Sequence, residues 1–339
     1  MNDYGVLSSL LHPIMKTIIK KGYNPDDFCS FAGVDRDILQ DAEARIPEDE
    51  LIRIMAAAAA FTKDDVFGLH QGQSMALSDL GAVGHVIQHS NTIGEAVSAF
   101  QKYNSVVCSG FQISPEAEGT SRVIRLAFQN PFKIPSRHCI EDMASSLYHI
   151  MMHLSLRPIP IQEIRFRHEF PGQLAPYLEV FGIEPKFGEQ DNVLCLPQEV
   201  WDYPVVYADE KLRRIFERAA EEAMGKGNQK LGLSGKLYFW MMEALPVHFP
   251  TLSEAAGWLH MSPRTLQSRL KEEQTTYTDL ANEVRRELAL GYLGNTEYTA
   301  AEVAYLLHFS EPSAFQSAFR KWTGMTPGQY RTVQNSGAD

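Results

Sequence analysis

Two groups of polar side chains near the C-terminal end of the chain share the same spacing and the same chemistry. They are Arg264, Gln267, Ser268 and Lys271 in the first group, and Ser313, Gln316, Ser317 and Arg320 in the second. Glutamine and serine hydrogen-bond the edges of bases, arginine binds guanine or phosphate, and lysine contacts phosphate. Because each group repeats at helical spacing, both should lie on an outward helix face and contact double-stranded DNA.

Both groups lie inside an internal repeat. Residues 251–262 and 299–310 match at a constant offset of 48, with Thr, Glu, Ala, Leu, His and Ser recurring. The second copy then carries one extra residue, after which Leu266-Gln-Ser268 matches Phe315-Gln-Ser317. A repeat of this kind predicts two copies of one supersecondary unit.

Each copy has the pattern of a helix-turn-helix. Ser262 can cap the second helix of the first copy, with Pro263 at its first position, and Ser310 is expected to cap the corresponding helix of the second copy. The side chains expected to be buried are Leu252, Ala256, Leu259, Met261, Leu266 and Leu270, then Val303, Ala304, Leu307, Phe309, Phe315, Phe319 and Trp322. Solvated faces of a helical bundle are the alternative, and the matching caps and Gln-Ser pairs favour DNA binding.

A single helix is predicted between the two copies, over Thr278 to Tyr292. Such a rod, with the flanking helices, would set the two outward faces about 34 Å apart, one turn of DNA. Arg285 and Arg286 on this connector are candidates for contacts with the DNA backbone, with a solvated surface as the alternative.

The region from Ala301 to Arg331 resembles the AraC/XylS family of transcription regulators. The matching features are a Val-Ala pair, a His-Phe-Ser turn, Ser-Ala-Phe, Phe-Arg and the closing Gly-Met-Thr-Pro-Gly-Gln-Tyr-Arg. His308 replaces the glycine usual in the turn, Gln274 and Thr275 stand where the first unit often has glycine, and Ser268 replaces a frequent arginine. The base-reading positions that the resemblance implies are Arg264, Gln267, Ser268, Ser313, Gln316 and Ser317.

The N-terminal part reads as mixed α and β, followed by an all-α region. It is similar to the ligand-binding domain of one branch of that family over roughly residues 15 to 210. The matching stretches are Gly22-Tyr-Asn-Pro, Phe67-Gly-Leu-His, Asp79-Leu-Gly-Ala-Val-Gly, Ser90-Asn-Thr-Ile-Gly-Glu-Ala and Phe187-Gly. The resemblance implies a small-molecule effector, such as a metabolite or fatty acid, and self-association as a homodimer. RNA polymerase is a further expected partner.

These observations predict a multidomain chain. An α+β effector-binding and dimerisation domain should occupy residues 1–223, a linker 224–232, a double helix-turn-helix domain with a linker helix 233–333, and a tail 334–339. The net charge of −11 belongs to the N-terminal part, since the residues from Lys226 onward carry 11 basic and 11 acidic side chains. The four scattered cysteines, the absence of an export signal and the lack of a long apolar run predict a cytoplasmic protein without membrane contact.

Two other readings remain open at this stage: a regulator that acts through protein partners without an effector, and an enzyme fused to a DNA-binding module. No nucleophile elbow, HExxH motif or cysteine cluster is present. The pairs His85/His89 and His149/His153 have the spacing of zinc ligands, but neither has a third ligand nearby in sequence. No catalytic residue, metal ligand or cofactor is therefore predicted, and the effector contacts stay unassigned.

Overall fold

The computed structural model describes residues 5–41, 44–128, 136–230, 232–245, 247–294 and 298–336. The chain divides into two compact units, with the boundary between Gly227 and Asn228. Each unit has its own buried apolar core. Among the described residues, no helix combines the length and the apolar character needed to cross a membrane.

The N-terminal unit is mainly helical. Its helices are α1 Leu11–Lys20, α2 Pro25–Ala32, α3 Glu48–Thr62, α4 Phe67–Gly72, α5 Gly81–Gln88, α6 Ile93–Val107, α7 Arg137–Ser155, α8 Ala175–Phe181 and α9 Glu210–Lys230. Short 3-10 helices cover Ser8–Leu10, Arg36–Leu39, Leu77–Leu80 and Gln198–Asp202. Helix α6 begins where Thr92 accepts a hydrogen bond from the backbone N–H of Glu95, as its capping-box pattern predicts.

Within the described residues, the strands of this unit form two antiparallel sheets. Their bounds are β1 Val6–Leu7, β2 Arg45–Ile46, β3 Phe111–Glu118, β4 Ser121–Phe128, β5 Glu163–Arg165 and β6 Asn192–Pro197. The larger sheet has the order β3-β4-β6-β5, and the smaller one pairs β1 with β2. Ile113 pairs with Leu126 across the β3–β4 hairpin, and both side chains are buried against the helices. The α+β class predicted for this unit is confirmed.

Helices α4 and α7 pack unusually closely because glycine faces the contact. A Cβ atom on Gly68 would lie 1.9 Å from the carbonyl oxygen of His138, and one on Gly72 would lie 2.5 Å from the Cβ of Ser145. No side chain fits at either position without moving a backbone. Position 71, between these glycines, is therefore held beside the middle of α7.

Two element bounds differ from the sequence expectation. The valines at 106 and 107 are β-branched residues of the kind that favours strands, but they form the last turn of α6, because burial in the core outweighs that preference. Helix α9 continues through the glycine-containing stretch proposed as a linker and ends at Lys230, so Gly225 and Gly227 do not stop the helix. The boundary between the two compact units nevertheless falls within residues 224–232.

The C-terminal unit is built from helices throughout its described residues, as predicted. The helices are α10 Gly232–Ala244, α11 Leu252–Trp258, α12 Pro263–Glu272, α13 Tyr277–Gly294, α14 Ala300–Leu306, α15 Pro312–Thr323 and α16 Pro327–Ser336. Their shared core includes Leu266, Leu270, Leu288, Phe315 and Phe319, all buried. Helix α16 runs into the segment expected to be a tail, residues 334–339.

Candidate nucleic-acid interface and internal cavity

The first helices of the two repeat copies start in the same way. In α11, Thr251 Oγ1 accepts a hydrogen bond from Glu254 N at 3.2 Å, and Glu254 Oε2 accepts one from Thr251 N at 2.7 Å. In α14, Thr299 and Glu302 form the same two bonds at 3.2 Å and 2.7 Å. These reciprocal caps satisfy backbone N–H groups that a helix start leaves free, so identical local chemistry fixes both starts.

Both turns contain a histidine in the left-handed region, His260 with φ 53° and His308 with φ 56°. The position is one that glycine favours, which explains why the family pattern has glycine there. His308 gains a compensating contact, since its Nε2 lies 2.9 Å from the carbonyl oxygen of Leu245. Gln274, at the other position where the family often has glycine, also has a positive φ of 58°.

Helix α12 presents the first polar group to solvent. Ser262 Oγ accepts a hydrogen bond from Thr265 N at 3.2 Å, which confirms the predicted cap, and Pro263 occupies the first turn. Leu266 and Leu270 are fully buried. The four predicted contact residues are all exposed, namely Arg264, Gln267, Ser268 and Lys271.

Helix α15 presents the second group in the same manner. Phe315 and Phe319 are fully buried, and the ring of Phe309 lies 5.6 Å from that of Phe315 and 6.1 Å from that of Trp322. The four predicted contact residues are again exposed, namely Ser313, Gln316, Ser317 and Arg320. The structure thus places all eight side chains on two solvent-facing helix surfaces.

The predicted cap at Ser310 is wrong. The residue at the cap position of α15 is Glu311, whose side chain makes no capping hydrogen bond. The extra residue in the second copy moves Pro312 into the first turn, so the cap position shifts one residue beyond the serine.

Two further exposed cations on the same helices were not predicted as DNA contacts from the sequence: Arg269 on α12 and Lys321 on α15. Each lies in the last turn of its helix, where a positive charge also interacts favourably with the helix dipole. Their charge type and placement beside the predicted groups were the signal that could have found them.

The predicted single helix between the two repeat copies is confirmed. The interpretation of Arg285 on that helix as a candidate DNA contact is wrong. Helix α13 runs over 18 residues, Tyr277–Gly294. The Arg285 guanidinium turns inward and donates to the carbonyl oxygens of Leu307 at 3.0 Å and His308 at 3.1 Å. It also lies 4.2 Å from the ring centroid of Phe249 and 4.5 Å from that of Phe309. Arg285 therefore stabilises the turn between α14 and α15.

The N-terminal unit contains a partly open cavity of about 110 Å³. Its walls come from α3 to α7, β3 and the segments between them, and most of the lining side chains are apolar, including Leu51, Met55, Val97, Phe100 and Ile150. A concave, mainly apolar space with few polar groups is the usual form of a small-molecule site.

The polar corner of this cavity lies where α4 meets α7 and contains Gln71, Asp142 and Ser146. Ser146 Oγ donates to Asp142 Oδ1 at 3.0 Å. Burial raises the pKa of the Asp142 carboxyl to about 7, and hydrogen bonds from Ser146 and Gln71 oppose that rise. Gln71 Oε1 is buried without a hydrogen-bond partner among the described residues. None of these residues was predicted as a ligand contact from the sequence, although an aspartate within the apolar pattern of residues 137–155 was the available signal.

The histidine pairs pack against aromatic rings or each other. His85 and His89 both stack on Phe216 of α9, with ring centroids 4.4 Å and 6.0 Å away. The rings of His149 and His153 lie 6.0 Å apart. Within the described residues, no cluster of three or more His, Cys, Asp or Glu side chains has an arrangement that could hold a metal ion.

Two family models match this chain. The model of the arabinose-binding N-terminal domain of AraC transcription regulators covers residues 22–205, and a helix-turn-helix domain model covers residues 255–332. The chain belongs to the AraC-type transcription regulators. It is therefore a DNA-binding regulator with an N-terminal ligand-binding domain, and the resemblance inferred from sequence is confirmed.

Several similar proteins are named as regulators. The ornithine utilization regulator of Pseudomonas aeruginosa is 27% identical over 318 residues, which is 94% of each chain. The regulator VirS of Mycobacterium tuberculosis is 26% identical and covers 83% of this chain and 82% of its own length. GadX of Escherichia coli is 36% identical over 84 residues, which is 25% of this chain and 31% of the relative.

The similar proteins with solved structures include the regulator CdpR from Pseudomonas aeruginosa, which is 21% identical. The match covers 95% of this chain and 97% of the CdpR chain, with a TM-score of 0.44. A DNA-binding dual regulator from Escherichia coli is 28% identical and covers 31% of this chain and 94% of its own, with a TM-score of 0.30.

Proposed function

We propose that this AraC-type regulator reads DNA with the two exposed faces of α12 and α15, each in one major groove. The observation that carries the proposal is that four polar side chains at the same spacing, with a shared Gln-Ser pair, are exposed on both helices, above a core fixed by Leu266, Leu270, Phe315 and Phe319. Helix α13, with its 18 residues, spans about 27 Å at a rise of about 1.5 Å per residue. A spacer of that length suits two successive major grooves on one side of a duplex.

In this proposal the residues divide into two roles. Arg264, Gln267 and Gln316 carry side chains that can form bidentate hydrogen bonds with base edges, and the serines add shorter contacts. Lys271 and Arg320 lie further along their helices and contact phosphates, which sets the register without reading sequence.

The test begins with selection of a preferred site from random DNA by the full chain. Gln316→Ala is expected to weaken binding to that site about tenfold or more and to relax the preference at one base pair, because a bidentate contact is lost. Fluorescence polarisation would measure both. Gln173→Ala is the matched control, since Gln173 is an exposed glutamine of the N-terminal unit. Unchanged affinity and preference in both Gln316→Ala and Gln267→Ala would refute the assigned faces.

We further propose that an effector bound in the cavity of the N-terminal unit changes the affinity for DNA. The support is a mainly apolar cavity within the ligand-binding domain. The proposed protein partners are a second copy of the chain and RNA polymerase, and the proposed site of action is the cytoplasm of a bacterium.

Effector control is tested by measuring thermal unfolding and DNA affinity with a panel of compact apolar compounds. A true effector raises the unfolding temperature because it binds the folded state, and it shifts the DNA dissociation constant. Ala96→Leu fills the cavity wall, so it should abolish both responses. A regulator that works only through protein partners would show neither response in the unmodified chain.

A further inference from the structure

The cavity has one carboxyl, on Asp142, in a wall whose other side chains are mostly apolar, with Gln71, Asn104 and Ser146 as the neutral polar ones. Asp142 lines the space from α7, and its hydrogen-bonding neighbours there are Ser146 and Gln71. Among the described residues, no lysine, arginine or histidine forms an ion pair with Asp142. A carboxyl in such surroundings is costly to ionise unless a cation is supplied from elsewhere.

The atoms in this corner are matched to a ligand that donates hydrogen bonds. Both oxygens of Asp142 can accept, and Ser146 and Gln71 together fill only part of the acceptor positions of the carboxylate. Gln71 Oε1 is a further acceptor with no partner among the described residues. A ligand carboxylate would be repelled by Asp142, and a sugar would leave most of its hydroxyl groups against apolar walls without partners.

The size of the space restricts the apolar part of the ligand. The cavity measures about 110 Å³. An apolar cavity of about 150 Å³ accommodates benzene, so this smaller one accepts a body of about four to five carbon atoms. The remaining lining side chains, such as Leu51, Val97 and Ile150, suit a branched aliphatic body.

We propose that the effector is a small primary amine whose ammonium group binds at Asp142 and whose compact aliphatic body fills the apolar part of the cavity. This inference rests on the proposed role of the cavity as the effector site. The ammonium group donates up to three hydrogen bonds, which matches the acceptors on Asp142 and Gln71. The raised pKa of Asp142 agrees with this assignment, because the carboxyl lacks a cationic partner until the ligand enters.

The test uses three probes of nearly equal shape: isoamylamine, isoamyl alcohol and isovalerate. Titration calorimetry on the full chain should show the amine binding about tenfold or more tightly than the alcohol, since its hydrogen bonds to Asp142 are charge-assisted. Isovalerate should bind more weakly than either. Asp142→Asn should weaken amine binding about tenfold and leave alcohol binding nearly unchanged. Glu179→Gln is the matched control, because Glu179 is an exposed acid on α8.

Amine affinity should also rise between about pH 6 and about pH 8, because Asp142 ionises in that range while the amine stays protonated. The other titratable groups lining the cavity are the thiols of Cys108 and Cys139, and burial raises the pKa of both so that they stay neutral. The pH dependence should be absent in Asp142→Asn.

The outcomes separate the ligand class from effector control. Equal or tighter binding of the alcohol or isovalerate, an unchanged amine affinity in Asp142→Asn, or no binding of isoamylamine would each overturn the amine assignment. If one of the other two probes binds and shifts DNA affinity, effector control stands and only the ligand class is wrong. If isoamylamine binds as described and DNA affinity does not change, the site chemistry stands and effector control fails.

Discussion

Replacing Arg285 by alanine should destabilise the C-terminal unit. The guanidinium donates to the carbonyl oxygens of Leu307 and His308 and stacks near the rings of Phe249 and Phe309. Hydrogen bonds from a charged group contribute about 1.5–3 kcal/mol each, and cation–π contacts contribute about 0.5–2 kcal/mol each. The desolvation of the guanidinium, which lowers the pKa of Arg285, offsets part of that gain. We therefore expect a loss of about 2–4 kcal/mol in the free energy of unfolding.

Urea unfolding followed by tryptophan fluorescence is suited to this measurement. Trp240, Trp258 and Trp322 lie in the C-terminal unit, whereas Trp201 lies in the N-terminal unit. The signal therefore reports mainly on the unit that the substitution affects. The transition of that unit should move to lower urea while its slope is retained.

Arg264→Ala is the matched control for charge. Arg264 is exposed on α12, so its loss should leave the unfolding transition in place and weaken DNA binding. If Arg285→Ala instead behaves like Arg264→Ala, with unchanged stability and weakened DNA binding, the inward-facing role is refuted. Arg285→Lys should recover only part of the stability, because lysine cannot donate to both carbonyl groups in the same fork geometry.

Three further outcomes are expected. Asp142→Asn should raise the free energy of unfolding at pH 8 by about 2–4 kcal/mol and change it little at pH 4. In the unsubstituted protein, the stability linked to this carboxyl is fully present below about pH 4, the pKa of Asp142 in the unfolded state. It is lost as the pH rises through about 7, the pKa of Asp142 in the folded state. Urea titrations at several pH values would show this loss. Glu273→Ala should cost about 1 kcal/mol in the same assay, because Glu273 accepts from the backbone N–H groups of Leu233 and Ser234 at the start of α10. Lys271→Ala should weaken binding equally to all DNA sequences and reduce the salt dependence of binding by about one counterion. An altered base preference would contradict the assignment of Lys271 to a phosphate contact.

The DNA-binding half of the chain was predictable because its signals are local and occur twice. The Thr-Glu capping boxes, Ser262 before Pro263 and the spacing of buried leucines each fix a feature within one or two turns of helix. A second copy at a constant offset then confirms the first. The failed cap at Ser310 has a local cause too, since one inserted residue moved the helix start.

The polar corner of the cavity was not predictable because it depends on contacts between distant segments. Gln71 meets Asp142 and Ser146 only because glycines at 68 and 72 let α4 approach α7. Nothing in either segment alone indicates that partner. Arg285 shows the same limit, since its position on α13 fits a surface residue and only the folded turn at Leu307 and His308 draws it inward.

The two left-handed histidines differ in what an exchange for glycine would do. Glycine at 260 would relieve the positive φ without removing any imidazole hydrogen bond among those described for the chain. Glycine at 308 would relieve the same strain, but it would remove the hydrogen bond between the His308 side chain and the carbonyl oxygen of Leu245, just after α10. Although the same repeated pattern forms both turns, substitution by glycine should therefore be tolerated at 260 and should be unfavourable at 308.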